Sequence, residues 1–316
     1  MDTIRKIGVA GAGTMGSAIG QYFAQHGLDV VLYDVSEKAL NNVCQTIRQN
    51  QQVLIRQGIL SEGEAAEARD RIHTETGLDA FSDVDLVIEA IIEDLAIKQA
   101  FFRRLESVCR PDAILATNTS GLSVNEICAA MCTRHRYLGA NWWTPAYIVP
   151  LVEMVRCPET SDETVLRLRS FLESVGKKPI VLNREVNGFV GNRLQFAVMR
   201  EAMSLVQSGY ASMEDVDRVL QYGLGLRYAV MGPFRTADFG GVDTFYHISE
   251  NLFGDLCADT APNRLIGGLY EAGKFGVKTG EGFYAYGPGE IGARQEDRDR
   301  KLLEILKITC RDAGEE

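Results

Sequence analysis

The 316-residue chain has few basic groups and few histidines for its length. Lysine and arginine total 33 against 43 aspartates and glutamates, which leaves a formal net charge of −10. Because nucleic-acid binding needs a basic face to meet the phosphates, this balance argues against a nucleic-acid partner. The four histidines and seven cysteines do not have the spacing of a metal-ligand set, so no metal site is expected.

Long apolar runs and a targeting segment are also missing. No apolar run approaches the length that crosses a membrane, so no membrane association is expected. The N-terminal residues MDTIRKIGVAG lead directly into a predicted strand, which leaves no room for a signal peptide. The odd number of cysteines, without the paired spacing of a disulfide framework, indicates free thiols in a reducing compartment. We therefore expect a cytoplasmic protein.

The most informative segment present is a glycine-rich turn between a predicted strand and a predicted helix. In the pattern Gly11-x-Gly13-x-x-Gly16, the first glycine permits a tight turn and the second lets the backbone approach a pyrophosphate. The third lets the helix, which begins near Thr14, pack on the strand and point free N–H groups at the phosphates. Asp34, 18 positions beyond Gly16 (34 − 16), ends the next strand, where its carboxylate can accept hydrogen bonds from both ribose hydroxyls. An acid there opposes a 2′-phosphate, so the segment predicts NAD rather than NADP.

Strand and helix patterns alternate through the first half of the chain and predict an α/β fold, a Rossmann-type doubly wound parallel sheet that can include an antiparallel edge. Beyond residue 187 only helical periodicity remains, which predicts an all-α C-terminal domain. The expected domains are residues 1–186, which bind NAD, and residues 187–316. Ser123 and Glu126 have the spacing of a capping box and predict a helix through Cys132. The predicted strands span residues 4–10, 28–34, 84–90, 113–118, 137–143, 151–157 and 178–182.

Small polar residues cluster in three further segments, ATNTSGLS (116–123), GANWWTP (139–145) with PLVEM (150–154), and NGFVGNR (187–193). The first follows a strand at its carboxyl end, where ligands bind in open α/β sheets. Together with GAGTMG, IEAIIEDLAIK, MGPF and KFGVKTGEGFYAY, these segments resemble the 3-hydroxyacyl-CoA dehydrogenase family along nearly the whole chain. The resemblance implies hydride transfer between a CH–OH group and NAD, an active site between the two domains, and a homodimer formed through the helical domain.

The matching motifs imply roles for individual residues. Glu93 and Lys98 correspond to residues beside the nicotinamide-side ribose, and Asn118 and Ser120 to residues near the nicotinamide and the substrate oxygen. Asn192 corresponds to the substrate-oxygen partner from the second domain. The structural alternatives are that Asn118 and Asn192 cap turns and helix starts, and that Lys98 is a solvated helix residue. The implied cofactor set is Gly11, Gly13, Thr14, Met15, Gly16, Asp34, Glu93, Lys98, Asn118 and Lys274, the last matching a lysine near the cofactor.

The catalytic pair of the family is incomplete in this chain. Glu153 matches the carboxylate that orients a histidine, with a structural ion pair as the alternative role, but the histidine position holds Asn141. Alcohol oxidation needs a base with a pKa near neutrality, and an amide does not titrate in this range. An engineered His-to-Asn substitution would give the same change, although Thr144, in place of the family's Asn, favours natural divergence. The implied catalytic set is Ser120, Asn141, Glu153 and Asn192.

Two features differ from the acyl-CoA members. The helix after the second strand, where those members carry lysines for CoA phosphates, reads TIRQNQQV over residues 46–53 and precedes an acidic stretch. The segment before Met231-Gly-Pro is longer, as in relatives that act on small free hydroxy acids, the gulonate, carnitine and pyridoxate-type dehydrogenases. There Arg227 can clamp a substrate carboxylate, or bind a helix-end carbonyl or a surface acid. Trp142 and Trp143 face opposite ways on a strand, so one belongs to the core; Trp142 is assigned to the substrate.

Three hypotheses follow. The leading one is an NAD-dependent oxidoreductase that oxidises a secondary alcohol of a small hydroxy acid. The second is a 3-hydroxybutyryl-CoA or 3-hydroxyacyl-CoA dehydrogenase. The third, from another class, is a catalytically silent NAD-binding protein, which the missing histidine makes reasonable. Turnover with any hydroxy acid separates the first from the third.

Overall fold

The computed structural model describes residues 4–309, which divide between Arg193 and Leu194 into two compact units. This division lies beyond the predicted boundary at residue 186. The first unit contains an eight-stranded sheet flanked by helices, and the second is helical.

The sheet of the first unit has the strand order β3-β2-β1-β4-β5-β6-β7-β8. Every neighbouring pair is parallel except β6 and β7, so β7 and β8 form the antiparallel part of the sheet. The order reverses between β1 and β4, which is the topological switch point where dinucleotides bind in doubly wound sheets. The predicted fold class is therefore confirmed. The strands are β1 Lys6–Ala10, β2 Asp29–Tyr33, β3 Ile72–Glu75, β4 Leu86–Glu89, β5 Ile114–Thr117, β6 Tyr137–Trp142, β7 Leu151–Arg156 and β8 Lys178–Leu182.

Between residues 4 and 190, six α-helices accompany the sheet, and each face of the sheet has its own core. On one face Phe23 and Leu172 pack against the strands, and on the other face Phe81 and Phe102 do so. Because strands β4 and β5 are buried along their whole length, their sequences are almost continuously apolar. The helices are α1 Thr14–Gln25, α2 Glu37–Arg56, α3 Glu62–Asp70, α4 Leu95–Val108, α5 Val124–Cys128 and α6 Asp162–Ser174.

Helix α5 differs from its prediction in length and capping. The helix ends at Cys128, short of the predicted Cys132. Ser123 accepts a hydrogen bond from the backbone N–H of Glu126 at 3.2 Å, as predicted, but within residues 4–309 the reciprocal bond of a capping box is missing. The carboxylate at the start of this helix belongs to Glu185 instead of Glu126, and it accepts from the backbone N–H of Val124 at 2.7 Å. The capping-box prediction was wrong because the cap comes from a residue distant in sequence.

The second unit is built from helices, as predicted. Helix α8 passes through a π-helical turn at Leu220–Leu224 into α9, and the N–H of Gly225 donates to the carbonyl of Leu220. A Cβ on Gly225 would lie 2.7 Å from that carbonyl oxygen, so glycine is required at this position. The helices are α7 Gly191–Gln207, which begins in the first unit, α8 Met213–Val219, α9 Gly225–Tyr228, α10 Pro233–Gly240, α11 Val242–Leu252, α12 Arg264–Glu271 and α13 Glu290–Thr309.

Candidate active site

The glycine-rich turn after β1 has the shape that a pyrophosphate requires. Gly11 has φ +103°, and a Cβ there would lie 2.3 Å from the carbonyl oxygen of Ala90. A Cβ on Gly16 would lie 1.8 Å from the carbonyl oxygen of Gly11, so α1 can approach β1 only with glycine. A Cβ on Gly13 would meet nothing within 4 Å, and Gly13, the N-cap residue, has no side chain to cap the first N–H groups of α1 at Thr14 and Met15. Open space beside free helix N–H groups fits a bound phosphate.

Asp34 lies directly beside this turn. Its Oδ2 accepts from the backbone N–H of Ala12 at 2.7 Å, and its Oδ1 accepts from the N–H of Ser36 at 2.8 Å. These bonds fix a half-buried carboxylate at the end of β2 and leave each oxygen a further lone pair for a ribose hydroxyl. The residues present therefore fit the adenosine half of NAD.

Removing the Asp34 carboxylate should weaken the preference for NAD. We expect NAD to bind this chain at least tenfold more tightly than NADP, about 1.4 kcal/mol, and Asp34→Ala to narrow that gap. Isothermal titration calorimetry with NAD and with NADP measures the two affinities and therefore their ratio. Glu37→Ala, which removes an exposed carboxylate from the first turn of α2, is the matched control and should leave the ratio unchanged. Equal affinities of the unmodified chain for NAD and NADP would contradict the assignment.

A buried charge network lies at the carboxyl end of β4. Lys98 is 1% exposed and forms ion pairs with fully buried Glu89 and, at 3.2 Å, with Glu93. Glu93 also accepts a hydrogen bond from the Thr119 hydroxyl. Partial burial acts to raise the pKa of Glu93, but the hydrogen bond from Thr119 and the charge of Lys98 outweigh it and lower that pKa. Lys98 is therefore not the solvated helix residue of the structural alternative.

Glu89 is a member of this network that the sequence patterns do not single out, although it lies in a predicted strand and in the IEAIIEDLAIK segment. Its carboxylate accepts from the backbone N–H of Ile91 at 2.9 Å and from the Thr117 hydroxyl at 2.6 Å. The available signal was an acid at the end of an otherwise apolar strand, followed by a lysine nine residues later. A buried acid needs such a partner, so this pair could have been proposed.

The polar segments after β5 and before α7 come together. Asn118 Oδ1 accepts from the backbone N–H of Trp142 at 2.8 Å, which joins the end of β5 to β6. Asn192 lies in the first turn of α7 and its Nδ2 donates to the carbonyl oxygen of Ser120 at 3.3 Å. Ser120 itself is exposed. The structure thus places Asn118, Ser120 and Asn192 around the carboxyl end of β5, and their proposed contacts with nicotinamide and substrate stay predictions.

Asn141 and Glu153 face each other across the antiparallel pair β6 and β7. Asn141 Nδ2 donates to Glu153 Oε2 at 3.0 Å, and the indole N–H of Trp143 donates to the same oxygen at 3.2 Å. The other oxygen, Oε1, accepts from the backbone N–H groups of Val190 at 3.0 Å and Gly191 at 2.8 Å, at the start of α7. The fully buried carboxylate is therefore stabilised by four donors and by the positive end of a helix.

This arrangement determines what each member of the pair can do. A carboxylate has about four acceptor sites, and four donors occupy those of Glu153, so it has no free lone pair with which to take a proton from substrate. Because an ionised carboxylate only accepts, Asn141 must direct its NH₂ group at Glu153 and its Oδ1 away from it. Asn141 can therefore accept a hydrogen bond from a hydroxyl group, but it cannot remove the proton.

The structure places Trp142 in the core and Trp143 beside Glu153. Trp142 is 3% exposed, packs edge-on against Tyr22 and Phe23, and has the buried ammonium of Lys177 4.5 Å from its ring centroid. Its assignment to the substrate is wrong, because the ring belongs to the core. Trp143 is the partner at the candidate site, where it donates to Glu153. A Cβ on Gly191 would lie 2.2 Å from the Trp143 ring, so the start of α7 packs directly on this side chain.

Lys274 and Arg227 belong to the helical unit. Lys274 Nζ forms an ion pair with Glu281 at 2.5 Å, and Arg227 is exposed on α9. Their proposed contacts with the cofactor and with a substrate carboxylate stay predictions.

Metal-binding clusters and membrane-spanning helices are both missing from residues 4–309. These residues contain no group of three or more histidine, cysteine, aspartate or glutamate side chains arranged to hold a metal ion. The same part of the chain has no helix that is both long enough and apolar enough to cross a membrane.

Comparison with known proteins agrees with the site. The NAD-binding domain of 3-hydroxyacyl-CoA dehydrogenases matches residues 6–186, and the C-terminal domain of these enzymes matches residues 188–286. The 5-formyl-3-hydroxy-2-methylpyridine 4-carboxylate 5-dehydrogenase of Mesorhizobium japonicum is 35% identical over 96% of this chain and 98% of its own length. The 3-hydroxybutyryl-CoA dehydrogenase of Mycobacterium tuberculosis is 34% identical over 90% of this chain and 99% of its own length.

Solved structures show the same two branches. The crystal structure of a 5-formyl-3-hydroxy-2-methylpyridine 4-carboxylic acid 5-dehydrogenase, described as an NAD⁺-dependent dismutase, matches with a TM-score of 0.90 and 33% identity. The match covers 99% of this chain and 100% of the chain in that crystal structure. The (S)-3-hydroxybutyryl-CoA dehydrogenase of Ralstonia eutropha matches with a TM-score of 0.73 and 33% identity, over 90% of this chain and 100% of that one. With both of its domains matched in order, this chain belongs to the 3-hydroxyacyl-CoA dehydrogenase family and is an NAD-dependent dehydrogenase.

Proposed function

We propose that this enzyme oxidises a secondary alcohol of a small free hydroxy acid and does not use a CoA thioester. The observation that supports this proposal is that α2 side chains bond neighbouring helices at the place where acyl-CoA members have lysines for phosphate. Buried Gln51 donates to the carbonyl of Ala65 in α3 at 3.1 Å and accepts from Arg69 at 2.5 Å. Asn50 donates to Gln21 of α1 at 2.9 Å. These groups join helices and are not free to bind phosphate.

The charge around α2 supports the same conclusion. Within residues 46–53, Arg48 is the only cation. The neighbouring helix α3 has exposed acids that oppose a polyphosphate by charge repulsion. They are Glu62, Glu64, Glu67 and Asp70.

The relatives and the longer segment before Met231 also favour a free carboxylate. The relative named for a pyridine carboxylate aligns over 96% of this chain, compared with 90% for the butyryl-CoA enzyme. We propose that Arg227, exposed on α9 just after the π-helical turn, binds the substrate carboxylate through its planar guanidinium.

When bound, NAD supplies a nicotinamide that accepts or returns a hydride. On the protein side, we propose that Asn141 Oδ1 accepts a hydrogen bond from the substrate hydroxyl and orients it. Glu153 fixes the amide in this orientation, and Asn192 and Ser120 hold the substrate oxygen from the other side. Since no titrating group occupies position 141, the hydroxyl proton leaves to water. The same feature favours a second candidate, a protein that binds NAD and alcohol without appreciable turnover.

A CoA substrate should be used poorly. We expect acetoacetyl-CoA to be reduced far more slowly than the best free keto acid in a panel, because α2 and α3 do not neutralise the CoA phosphates. The rate of NADH consumption measures both reactions. Gln49→Lys/Gln52→Lys, at two exposed positions of α2, should raise turnover of acetoacetyl-CoA and leave the keto acid rate unchanged. Efficient reduction of acetoacetyl-CoA by the unmodified chain would instead favour the acyl-CoA hypothesis.

We propose a homodimer formed through the helical unit. Large apolar side chains are exposed there to an extent that monomers rarely tolerate, including Phe234 at 85% and Phe239 at 83%. Light scattering should give twice the chain mass of 34.9 kDa. Phe239→Asp, which places a charge in this surface, should shift the mass toward one chain. A single-chain mass for the unmodified protein at micromolar concentration would contradict the proposal.

A further inference from the structure

Two buried cysteines of the first unit, Cys128 and Cys157, are in contact. The sulfur atoms of Cys128 and Cys157 are 3.4 Å apart, and both thiols are free. Cys128 is the last residue of α5, and Cys157 directly follows β7. They are 2% and 1% exposed, respectively. The role proposed above for the enzyme uses neither thiol.

The backbone around Cys157 is firmly held. Its N–H donates to Thr160 Oγ1 at 2.9 Å, and the Thr160 hydroxyl donates in turn to the carbonyl of Tyr137 at 2.7 Å. Cys128 sits in a helix of five residues, where its sulfur also contacts the Asn125 carbonyl at 3.3 Å. Of the two elements, the short helix opens more easily, because few bonds must break to release it.

The two thiols influence each other chemically. Their shared hydrogen bond lowers the pKa of Cys128, and the same bond, together with burial, raises the pKa of Cys157. Cys128 lies on the short helix that opens more easily, and its lowered pKa also favours the thiolate, which is the nucleophile in thiol oxidation.

We propose that Cys128 and Cys157 are a redox modification site, a dithiol that a peroxide oxidises to an intramolecular disulfide. The Cys128 thiolate attacks one peroxide oxygen, which breaks the O–O bond, forms a sulfenic acid and releases hydroxide that takes up a proton as water. The sulfur of Cys157 then attacks the Cys128 sulfur, forming the S–S bond, while the sulfenic hydroxyl leaves with the Cys157 proton as a second water. Two electrons pass from the thiols to one peroxide.

The geometry makes this step short. A disulfide has sulfurs about 2.05 Å apart, so the two sulfurs must approach by about 1.4 Å, which side-chain rotation can share between them. The bond would tie α5 to the end of β7. Since α5 follows the loop of Asn118 and Ser120, and β7 carries Glu153, it would join two segments of the candidate site.

Burial sets the expected kinetics. Oxidant reaches the pair only when α5 opens, so the exposed thiols of Cys44 and Cys132 should react first. The test therefore uses the full chain with Cys44→Ser/Cys132→Ser, saturated with NAD, folded, and treated with hydrogen peroxide. Peptide mapping by mass spectrometry without reductant should show the Cys128 and Cys157 peptides joined, lighter by two hydrogens, and separated again by dithiothreitol.

Two matched variants in this background define the pair. Cys109→Ser removes another buried thiol and should leave the cross-link unchanged. Cys157→Ser should abolish it and leave Cys128 as a sulfenic acid that dimedone captures. The oxidised parent should also show a raised thermal midpoint and slower amide exchange over residues 124–131, because the disulfide restrains the opening of α5. These two measurements need only the Cys44→Ser/Cys132→Ser parent, whose two substitutions are at exposed positions.

Several results would overturn the proposal. A cross-link that involves Cys109 or Cys257, or a cross-link that forms only after unfolding in urea, would show that the native contact is not oxidisable. Oxidation of Cys128 to sulfinic acid while Cys157 stays a thiol would also show that the two sulfurs do not form a disulfide in the folded protein. Because every readout is independent of turnover, failure of the proposed hydroxy-acid activity would leave this test unaffected.

Discussion

Replacing Asn141 with histidine should raise the turnover number about 10²–10⁴-fold, the usual contribution of general acid–base catalysis. The carboxylate that such a histidine needs is already in place, because Glu153 Oε2 lies 3.0 Å from the Asn141 side-chain nitrogen. An imidazole there would donate its Nδ1–H to Glu153, and its Nε2 would point away from Glu153 and extend beyond the present amide. The protein would then have a base that titrates near neutrality and accepts the hydroxyl proton.

The gain should appear in the chemical step. NADH formation with the best hydroxy acid of the panel gives the turnover number, and calorimetry should show NAD affinity nearly unchanged, because position 141 lies outside the glycine-rich turn and Asp34. Asn141→Gln is the matched control: it keeps an amide, adds no base and should give no gain.

The gain should also depend on Glu153. In Asn141→His/Glu153→Gln most of it should vanish, because the imidazolium formed during oxidation loses its counter-charge. The prediction is contradicted if the unmodified chain already has a high turnover number and the Asn141→His variant is no faster. Another base would then operate, and Glu153 could not serve directly, since four donors occupy its oxygens.

The sequence predicted the parts of the fold whose signal is local. All seven predicted strands form, within two residues of their expected bounds, because most of them are short, buried apolar runs bounded by turn residues. The sequence does not predict strand β3, IHTE, because only its first residue is apolar. The same residue is the only one of the four that is partly buried. Helix α3 was described only as an acidic stretch, although Ser61 and Glu64 form a complete capping box at its start.

The failures at the candidate site have a common cause, which is dependence on distant partners. Alternation over the predicted strand 137–143 separates Trp142 from Trp143, but which ring is buried depends on the packing of α1, where Phe23 meets Trp142. The cap of α5 comes from Glu185, about 60 residues away in the sequence. No local pattern carries that information. The strand patterns alone do not show that Asn141 and Glu153 are opposite each other, which depends on the pairing of β6 with β7.

Replacing Lys98 with methionine should destabilise the protein by about 3–5 kcal/mol, the usual consequence of leaving one member of a buried ion pair without its partner. Glu89 is fully buried and Lys98 is 1% exposed, so neither charge can turn to solvent. The Glu89 carboxylate would keep its bonds from Ile91 and Thr117 but lose its counter-ion. The midpoint and slope of urea unfolding, measured at neutral pH, give the change in the free energy of unfolding.

Two variants separate this mechanism from a general loss of packing. Lys98→Met/Glu89→Gln should recover most of the lost stability, because a neutral amide can stay buried with its two remaining partners. Lys6→Met breaks an ion pair with Asp83 whose side chains are 33% and 63% exposed, and should cost less than about 1 kcal/mol. If Lys98→Met costs no more than Lys6→Met, the buried pair is not formed in solution. If the double variant is as unstable as the single one, the loss comes from packing around position 98 and not from the unpaired charge of Glu89.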